Sequence, residues 1–269
     1  MIRSIFDIYG TSILVLLFVI LFIFESKYQL RKRVQSRWKR AIINFLVALP
    51  SFALLRLVFI SLMVWLAYQN EQWHFGLNYL YVAPGWLKAS IVFFLLDYSN
   101  YLWHIILHRM PLMWRFHLVH HTDLDLDITT SFRFHFGELI GSFLFRGAAV
   151  LLLGVSPLIV LIYEIAFEAS NQFQHSNIKI PFRFEKVLNT IFVTPRMHGI
   201  HHSMKKRETD SNFSIIFPFW DRLHRTIKLN VPQDKIRTGV PCYPDEKELT
   251  TRKLLKLPFT KIREWKKPE

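Results

Sequence analysis

The chain has 269 residues, a formal net charge of +14, and 51% hydrophobic residues, a length that allows one large domain or two small ones. No nucleic-acid-binding motif accompanies the basic charge, and the Lys and Arg residues flank apolar blocks, so a membrane partner is favoured over nucleic acid. Cys242 is the sole cysteine in the sequence, which excludes an intrachain disulfide and a metal site built from several thiolates.

Long apolar segments predict membrane helices, because a spanning helix needs about 20 mostly apolar residues. The candidates are residues 8–24, 41–68, 86–108 and 137–173. We interpret the first as a retained helix and not as a cleaved signal, and expect Pro50 to kink the second. The last is too long for one span, and its Gly154-Val155-Ser156-Pro157 sequence predicts a turn between two helices. We therefore predict an all-α, polytopic membrane protein with about 3 to 5 membrane helices.

The distribution of cationic residues predicts an orientation in the membrane. Residues 27–40 hold seven Lys or Arg residues, whereas residues 69–85 hold none. Cationic loops stay on the cytoplasmic side, so the two loops should face opposite sides. This places every histidine cluster, described next, on the cytoplasmic face in a helical cap. The membrane is either a bacterial inner membrane or the endoplasmic reticulum.

Eight histidines form three tight clusters, and this is the strongest chemical signal in the chain. The clusters are HxxxH (His104, His108), HxxHH (His117, His120, His121) and a second HxxHH (His198, His201, His202). Residues three or four apart share one face of a helix, so each cluster presents its nitrogens together. Imidazole binds Fe, Zn and Cu, and eight ligands exceed the roughly four that one tetrahedral zinc accepts. The spacing therefore predicts two metal ions, with one member of each adjacent pair reaching the second ion.

The other histidines have weaker signals. His175 follows the predicted helical hairpin and is predicted to be a further ligand. His135 remains open between a ligand, a hydrogen-bonding partner of a ligand and a structural residue. We expect His74 to be interfacial and His224 to be structural.

Acidic residues near the clusters are candidates for orienting the imidazoles, because metal-bound imidazole usually donates its other N–H to a carboxylate or carbonyl. Asp97 lies seven residues before His104, on nearly the same helix face, and is the best candidate. Asp123 begins an acidic stretch that either serves the site or is a solvated loop. Glu164 and Glu168 either line the site or pair with an arginine, Arg146 or Arg133.

These stretches resemble the fatty acid hydroxylase/sterol desaturase superfamily of membrane histidine-box di-iron enzymes. The resemblance covers roughly residues 86–225, including Asp97-Tyr98, the three histidine clusters, residues 129–135, Phe173-Gln-His175-Ser-Asn177 and Trp220-Asp221-Arg222. It implies two iron ions, O2 as co-substrate, and hydroxylation or desaturation of a lipid. It also implies that the eight clustered histidines and His175 are the ligands. We further predict that Asp97 and Asp123 belong to the catalytic site.

We accordingly predict three regions: N-terminal membrane helices with a basic cytoplasmic loop (1–85), a catalytic domain (86–225) and a basic cytoplasmic tail (226–269). No flavin, haem or Fe–S motif is present, so we expect a separate electron-donor protein. Three alternatives stay open: an ether-lipid (alkylglycerol-type) monooxygenase that uses a reduced pterin, a zinc-binding membrane hydrolase, and a non-catalytic lipid-binding protein.

Overall fold

The computed structural model describes residues 9–265, and within that range the fold is all-α, as predicted; its extended pairing is limited to two isolated β-bridges, Gln29 with Ile178 and Ser203 with Thr238. The longer helices are α1 (Thr11–Lys27), α2 (Arg37–Leu54), α3 (Ile60–Trp73), α4 (Gly85–Arg109), α5 (Pro111–His121), α6 (Phe136–Leu153) and α7 (Pro157–His175). The shorter ones are α8 (Phe182–Leu188), α9 (Pro195–His201), α10 (Lys206–Thr209), α11 (Phe219–Leu223) and α12 (Thr251–Lys256).

The helix boundaries follow local signals in the sequence. Gly154 adopts a left-handed conformation with φ of 69°, which ends α6, and Pro157 begins α7, as the predicted hairpin turn requires. Pro50 lies inside α2, and a π-helical turn at Leu55–Phe59 follows it and joins α2 to α3. Proline removes a backbone donor, so an irregular turn close to it has a local cause. The predicted first segment begins at residue 8, which lies outside the described residues.

Among the described residues, three helical stretches are long and apolar enough to cross a membrane: Arg37–Tyr79, Gly85–Arg109 and Phe136–Leu153, with mean hydropathies of 2.2, 1.3 and 1.6. Their outer faces carry large exposed apolar side chains, including Leu57, Leu144 and Leu152. Soluble proteins rarely expose such continuous apolar surface. The chain therefore has the surface of a membrane protein.

The segment that follows Arg225 is folded against the helices over most of its described length. Val240, Tyr243 and Leu254 are buried in one apolar cluster with Val47 of α2 and Leu118 of α5. Burial of this kind is the main favourable contribution to folding. The C-terminal segment thus supports α5, which carries the first HxxHH cluster.

Candidate metal centre

Nine histidines from four helices converge at one buried site. Their donor atoms form two groups, and within each group all of these atoms lie within 4.8 Å of one another. The five-histidine group contains His104, His108, His117, His121 and His201, and the four-histidine group contains His120, His175, His198 and His202. All nine side chains are buried. The structure thus brings together every histidine that the sequence placed in a cluster, together with His175.

Helical spacing explains why each HxxHH cluster serves both groups. In α5, His117 and His121 are four residues apart and belong to the five-histidine group, whereas His120 belongs to the other. At α9 the arrangement is reversed, because His198 and His202 join the four-histidine group and His201 joins the five-histidine group. Residues four apart share a face, while the third position is rotated toward the neighbouring group.

Hydrogen bonds fix the ring orientation of four of these histidines. In each, Nδ1 lies within hydrogen-bonding distance of an oxygen: His104 with the Phe213 carbonyl (2.8 Å), His175 with the Asn171 carbonyl (2.7 Å), His201 with the Ser211 carbonyl (2.8 Å) and His117 with Glu138 Oε1 (2.9 Å). A carbonyl or carboxylate oxygen accepts, so Nδ1 donates its proton to it. With Nδ1 occupied in this way, Nε2 of each ring is the atom left to face the other histidines, as in metal-binding imidazoles.

The distances between Nε2 atoms fit neighbouring ligands of a metal ion. They are 3.0 Å for His120 with His175, 3.0 Å for His175 with His198, 3.1 Å for His198 with His202 and 3.2 Å for His117 with His121. Nitrogens held about 2.1 Å from a metal lie about 3.0 Å apart at right angles and about 3.4 Å apart in a tetrahedron. The observed distances are therefore of the size expected between neighbouring nitrogen ligands of one metal ion.

The environment also keeps five of these rings uncharged, which metal binding requires. Burial, followed by repulsion from neighbouring histidines, holds the pKa of four rings well below the usual 6.5; they are His120, His121, His198 and His202. Burial likewise lowers the pKa of His201 to about 3. Several buried ring nitrogens lack a partner among the described residues, including His108 Nε2 and His201 Nε2. Such unpartnered atoms are costly unless a ligand occupies the site, so the donor set fits metal ions.

Asp97 and Asp123, the acidic residues that the sequence suggested as partners of the imidazoles, make their described hydrogen bonds to other groups. Asp97 accepts hydrogen bonds from the backbone of Ile216 and Phe217, at 3.3 Å each, and from the Trp220 indole at 2.8 Å. It therefore ties α4 to the segment after α9, and the proton of His104 goes to a backbone carbonyl instead. A carboxylate within hydrogen-bonding distance of an imidazole is that of Glu138, and Asp210 Oδ1 lies 3.8 Å from His108 Nδ1; the sequence offered no spacing signal for either residue.

Asp123 is buried in a polar network and not in a solvated loop. It accepts hydrogen bonds from Arg40 (3.3 Å), Asn44 (3.2 Å) and Thr130 (2.8 Å). Asp127 pairs with the same arginine. These contacts fasten the stretch after α5 to α2, so the acidic residues hold the chain around the site.

His135, which the sequence left open, belongs to neither histidine group. Its Nδ1 accepts a hydrogen bond from the Gly137 backbone at 3.0 Å, which caps the start of α6, and its Nε2 lies 3.1 Å from the Leu255 carbonyl. The structure therefore gives this residue a structural position. His224 is likewise placed structurally, stacked on Tyr98 and hydrogen-bonded to its hydroxyl at 3.1 Å.

Arg31 holds the second HxxHH cluster and was not anticipated from the sequence. Its guanidinium donates to the Pro195 carbonyl (3.3 Å) and to Gln233 Oε1 (2.6 Å), and its backbone N–H donates to Asn177 Oδ1 (2.9 Å). A Cβ built on Gly199 would lie 2.2 Å from the guanidinium nitrogen Nη1. The glycine between the histidines of α9 therefore permits a close approach by this arginine.

A cavity of about 640 Å³ extends from the histidines into the helical region. Its inner end is lined by five of the histidines: His104, His117, His120, His175 and His198. Its walls are largely aromatic and aliphatic, with Phe18, Phe45, Phe52 and Phe132 among them. The volume is that of a typical small-molecule site, and the apolar walls fit a lipid chain.

Comparison with known proteins agrees with this arrangement. Residues 89–226, just over half of the chain, match the family model described as fatty acid hydroxylase, and the chain belongs to that family. No solved structure matches.

Several relatives modify lipids according to their names. An ornithine lipid hydroxylase of Rhizobium tropici is 30% identical over 47% of this chain and 38% of its own length. A cholesterol 25-hydroxylase-like protein of Danio rerio is 24% identical over 56% and 61%. An alkylglycerol monooxygenase of Danio rerio is 27% identical over 70% and 41%. The chain thus spans between 38 and 61% of the length of these relatives.

Proposed function

We propose that this protein is a membrane-bound oxygenase with two iron ions, which hydroxylates or desaturates a lipid C–H bond. The observation that carries the proposal is the pair of histidine groups at the inner end of an apolar cavity. In the hydroxylation reaction, a C–H bond, O2, two electrons and two protons give an alcohol and water. The irons, when bound, supply the O2 activation that side chains alone lack.

The residues of the chain have separate tasks in this proposal. The nine histidines are the ligands, and Glu138 orients His117 by accepting its Nδ1 proton. The aromatic walls exclude water and hold the lipid chain in an extended path toward the histidines. Holding the reacting carbon close to the metals is itself a large contribution to rate.

The side of the centre away from the cavity supports the entry of electrons from a separate protein. The Trp114 ring lies 5.1 Å from His108 and 5.5 Å from His121, two histidines that do not line the cavity. Trp265 lies 6.1 Å from Trp114, and the Lys206 ammonium lies above both indoles. Because electron transfer weakens steeply with distance, this chain of close aromatic contacts is a suitable route for electrons toward the five-histidine group.

The charge of that surface indicates the kind of donor. Lys205, Lys206 and Arg207 are exposed, and the Lys206 ammonium lies 5.3 Å from the centre of the Trp114 ring. An acidic redox protein would be steered to such a surface, and its association would weaken at high salt. The same cationic residues favour the cytoplasmic side, so we place the centre there in a multi-pass protein.

Comparative lipid analysis of cells with and without the full chain tests the activity. We expect one lipid class to differ by one oxygen or by two hydrogens. His120→Ala should abolish that difference, because it removes a buried ring from the four-histidine group. His74→Asn is the matched control, since His74 lies at the end of α3 in a left-handed conformation that asparagine tolerates. Unchanged lipid oxidation by His120→Ala would contradict the proposal.

Family membership favours oxidation over the zinc hydrolase and the non-catalytic lipid-binding protein. The ether-lipid reaction differs in its co-substrate, and an assay with and without reduced pterin separates it from direct hydroxylation. We expect turnover without pterin.

A further inference from the structure

A charged cluster lines the cavity at a distance from the histidines. Arg146 of α6 is paired with Glu164 of α7, and Glu168 lies one turn further along α7. The Arg146 guanidinium also lies 4.7 Å from the ring centre of Phe167. The side chains of Arg146 and Glu164 retain 12% and 18% of their exposure, and all three ionisable residues line the cavity.

Two helices independently define how far this cluster lies from the histidines. Arg146 follows Glu138, the partner of His117, by eight residues, which is about 12 Å along a helix. Glu168 and Glu164 precede His175 by seven and eleven residues, which is about 10 and about 16 Å. The charged cluster and the histidines therefore lie at separate positions along one cavity, about 10 to 16 Å apart.

The cost of these charges argues for a function. Charged side chains in an apolar, membrane-depth interior are expensive and are usually found where they bind something. Arg146 is matched by Glu164, whereas the hydrogen bond described for Glu168 is a 3.5 Å contact from Asn171. That distance is at the limit of a hydrogen bond, so Glu168 retains capacity to accept one from the cavity.

A hydroxyl group is the chemistry that fits this cluster. It donates one hydrogen bond, here to a carboxylate, and can accept another from a guanidinium. An uncharged hydroxyl is also less costly to bury than a second cation. The remaining cavity wall is largely apolar, so the rest of the molecule must be hydrocarbon.

We propose that Arg146, Glu164 and Glu168 bind the hydroxyl group of an otherwise apolar substrate and thereby determine which carbon reaches the histidines. The inference rests on the proposed function, because it assigns the substrate class of the same site. The carbon that is oxidised then lies at a fixed distance from the hydroxyl group of the substrate.

Equilibrium binding to the iron-free full chain in detergent tests the cluster without any turnover. The probes are a radiolabelled long-chain primary alcohol and the alkane of the same length. We expect the chain to bind the alcohol at least about tenfold more tightly, the value of one hydrogen bond to a charged group. The double substitution Arg146→Met with Glu164→Met removes both members of the ion pair and leaves the Glu168 carboxyl group as the remaining acceptor, so it should weaken the preference. Glu168→Gln should weaken it.

The matched control is Lys39→Met with Glu246→Met, which removes an exposed ion pair outside the cavity. It should keep the preference for the alcohol. Equal binding of alcohol and alkane by the unaltered chain would overturn the inference. An undiminished preference for the alcohol in both cluster variants would overturn it as well. If the double variant does not fold, Glu168→Gln decides the matter alone.

Product analysis separates this inference from the proposed function. Cells expressing the full chain are fed a homologous series of saturated primary alcohols, and mass spectrometry locates the new oxygen or double bond. We expect its position to stay constant when counted from the hydroxyl. A position constant from the methyl end would overturn the inference and leave the oxygenase intact. Alcohol binding without any oxidation would count against the proposed function alone.

Discussion

The two histidine groups differ in how their rings are held. In the five-histidine group, His104, His117 and His201 each have Nδ1 hydrogen-bonded to an oxygen. In the four-histidine group that contact is described for His175, while Nδ1 of the other three rings has no described partner. Three members of the four-histidine group line the cavity, compared with two of the other.

This difference indicates that the two histidine groups have different roles within one centre. Rings oriented by second contacts hold a metal more firmly, because less ordering is needed when it binds. The five-histidine group also adjoins Trp114, on the side where we expect electrons to enter. The less constrained four-histidine group contributes more of the cavity lining, where we propose that the substrate binds. We therefore expect the five-histidine group to bind its iron more tightly.

The largest expected effect comes from removing neighbouring histidines of different groups. His201→Ala and His202→Ala should each lower lipid oxidation by more than about 100-fold. Losing a ligand should cost more activity than losing a residue that only orients a ligand, which typically costs about 10- to 100-fold. Each variant should keep about one iron per chain, because the other group is intact. Iron content of the purified variants checks this expectation. Loss of both irons from both variants would show that the groups are not separate sites.

The second prediction concerns the stability of the metal-free protein at low pH. His120, His121, His198 and His202 have folded-state pKa values well below the unfolded value of 6.5, so only the unfolded chain binds these protons as the pH falls. Their effect is absent above pH 6.5, and below it stability decreases by up to about 1.4 kcal/mol per pH unit for each ring. Denaturant unfolding at a series of pH values from about 7.5 to about 5, on both sides of the unfolded-state pKa, measures how the free energy of unfolding depends on pH.

A variant isolates the contribution of one ring from that of other titrating groups. His202→Gln should have a shallower decrease in unfolding free energy below pH 6.5 than the unaltered chain. Identical slopes would show that this ring is not buried and neutral in the metal-free protein.

Glu138 tests the role of orientation in the five-histidine group. Glu138→Gln should weaken binding of one iron by about 10- to 100-fold, since it replaces the carboxylate that accepts the His117 proton. Competition with a chelator measures this affinity. Glu248→Gln, which alters an exposed pair with Arg263, is the matched control and should leave both irons unaffected. If the weakened iron belonged to the four-histidine group, the proposed difference between the groups would be wrong.

The convergence of the clustered histidines could be predicted from the sequence because the information is local. Spacings of three and four residues become shared helix faces without reference to distant residues, and Gly154 and Pro157 specify their turn in the same way. Partners contributed by other elements could not be predicted. The Nδ1 proton of His104 goes to Phe213, more than a hundred residues away, and Glu138 reaches His117 because α6 packs beside α5. Asp97 shares a helix face with His104, but the segment after α9 supplies it with nearer donors.

The smallest expected effect is at Gly199, where Arg31 approaches α9. Gly199→Ala should lower the free energy of unfolding by about 1 kcal/mol, the lower end for overpacking, because the clashing atom ends a flexible side chain. Gly85→Ala is the matched control, as a Cβ there meets nothing within 4 Å. Chemical denaturation compares the two variants. Equal stability of both would mean that Arg31 moves aside freely.

The central claim is that the two histidine groups hold two irons side by side. X-ray diffraction from crystals of the iron-loaded protein, recorded at the iron absorption edge, tests it most directly. We expect two anomalous peaks per chain, one among His104, His108, His117, His121 and His201 and the other among His120, His175, His198 and His202. A single peak, or metal bound away from these rings, would contradict the account.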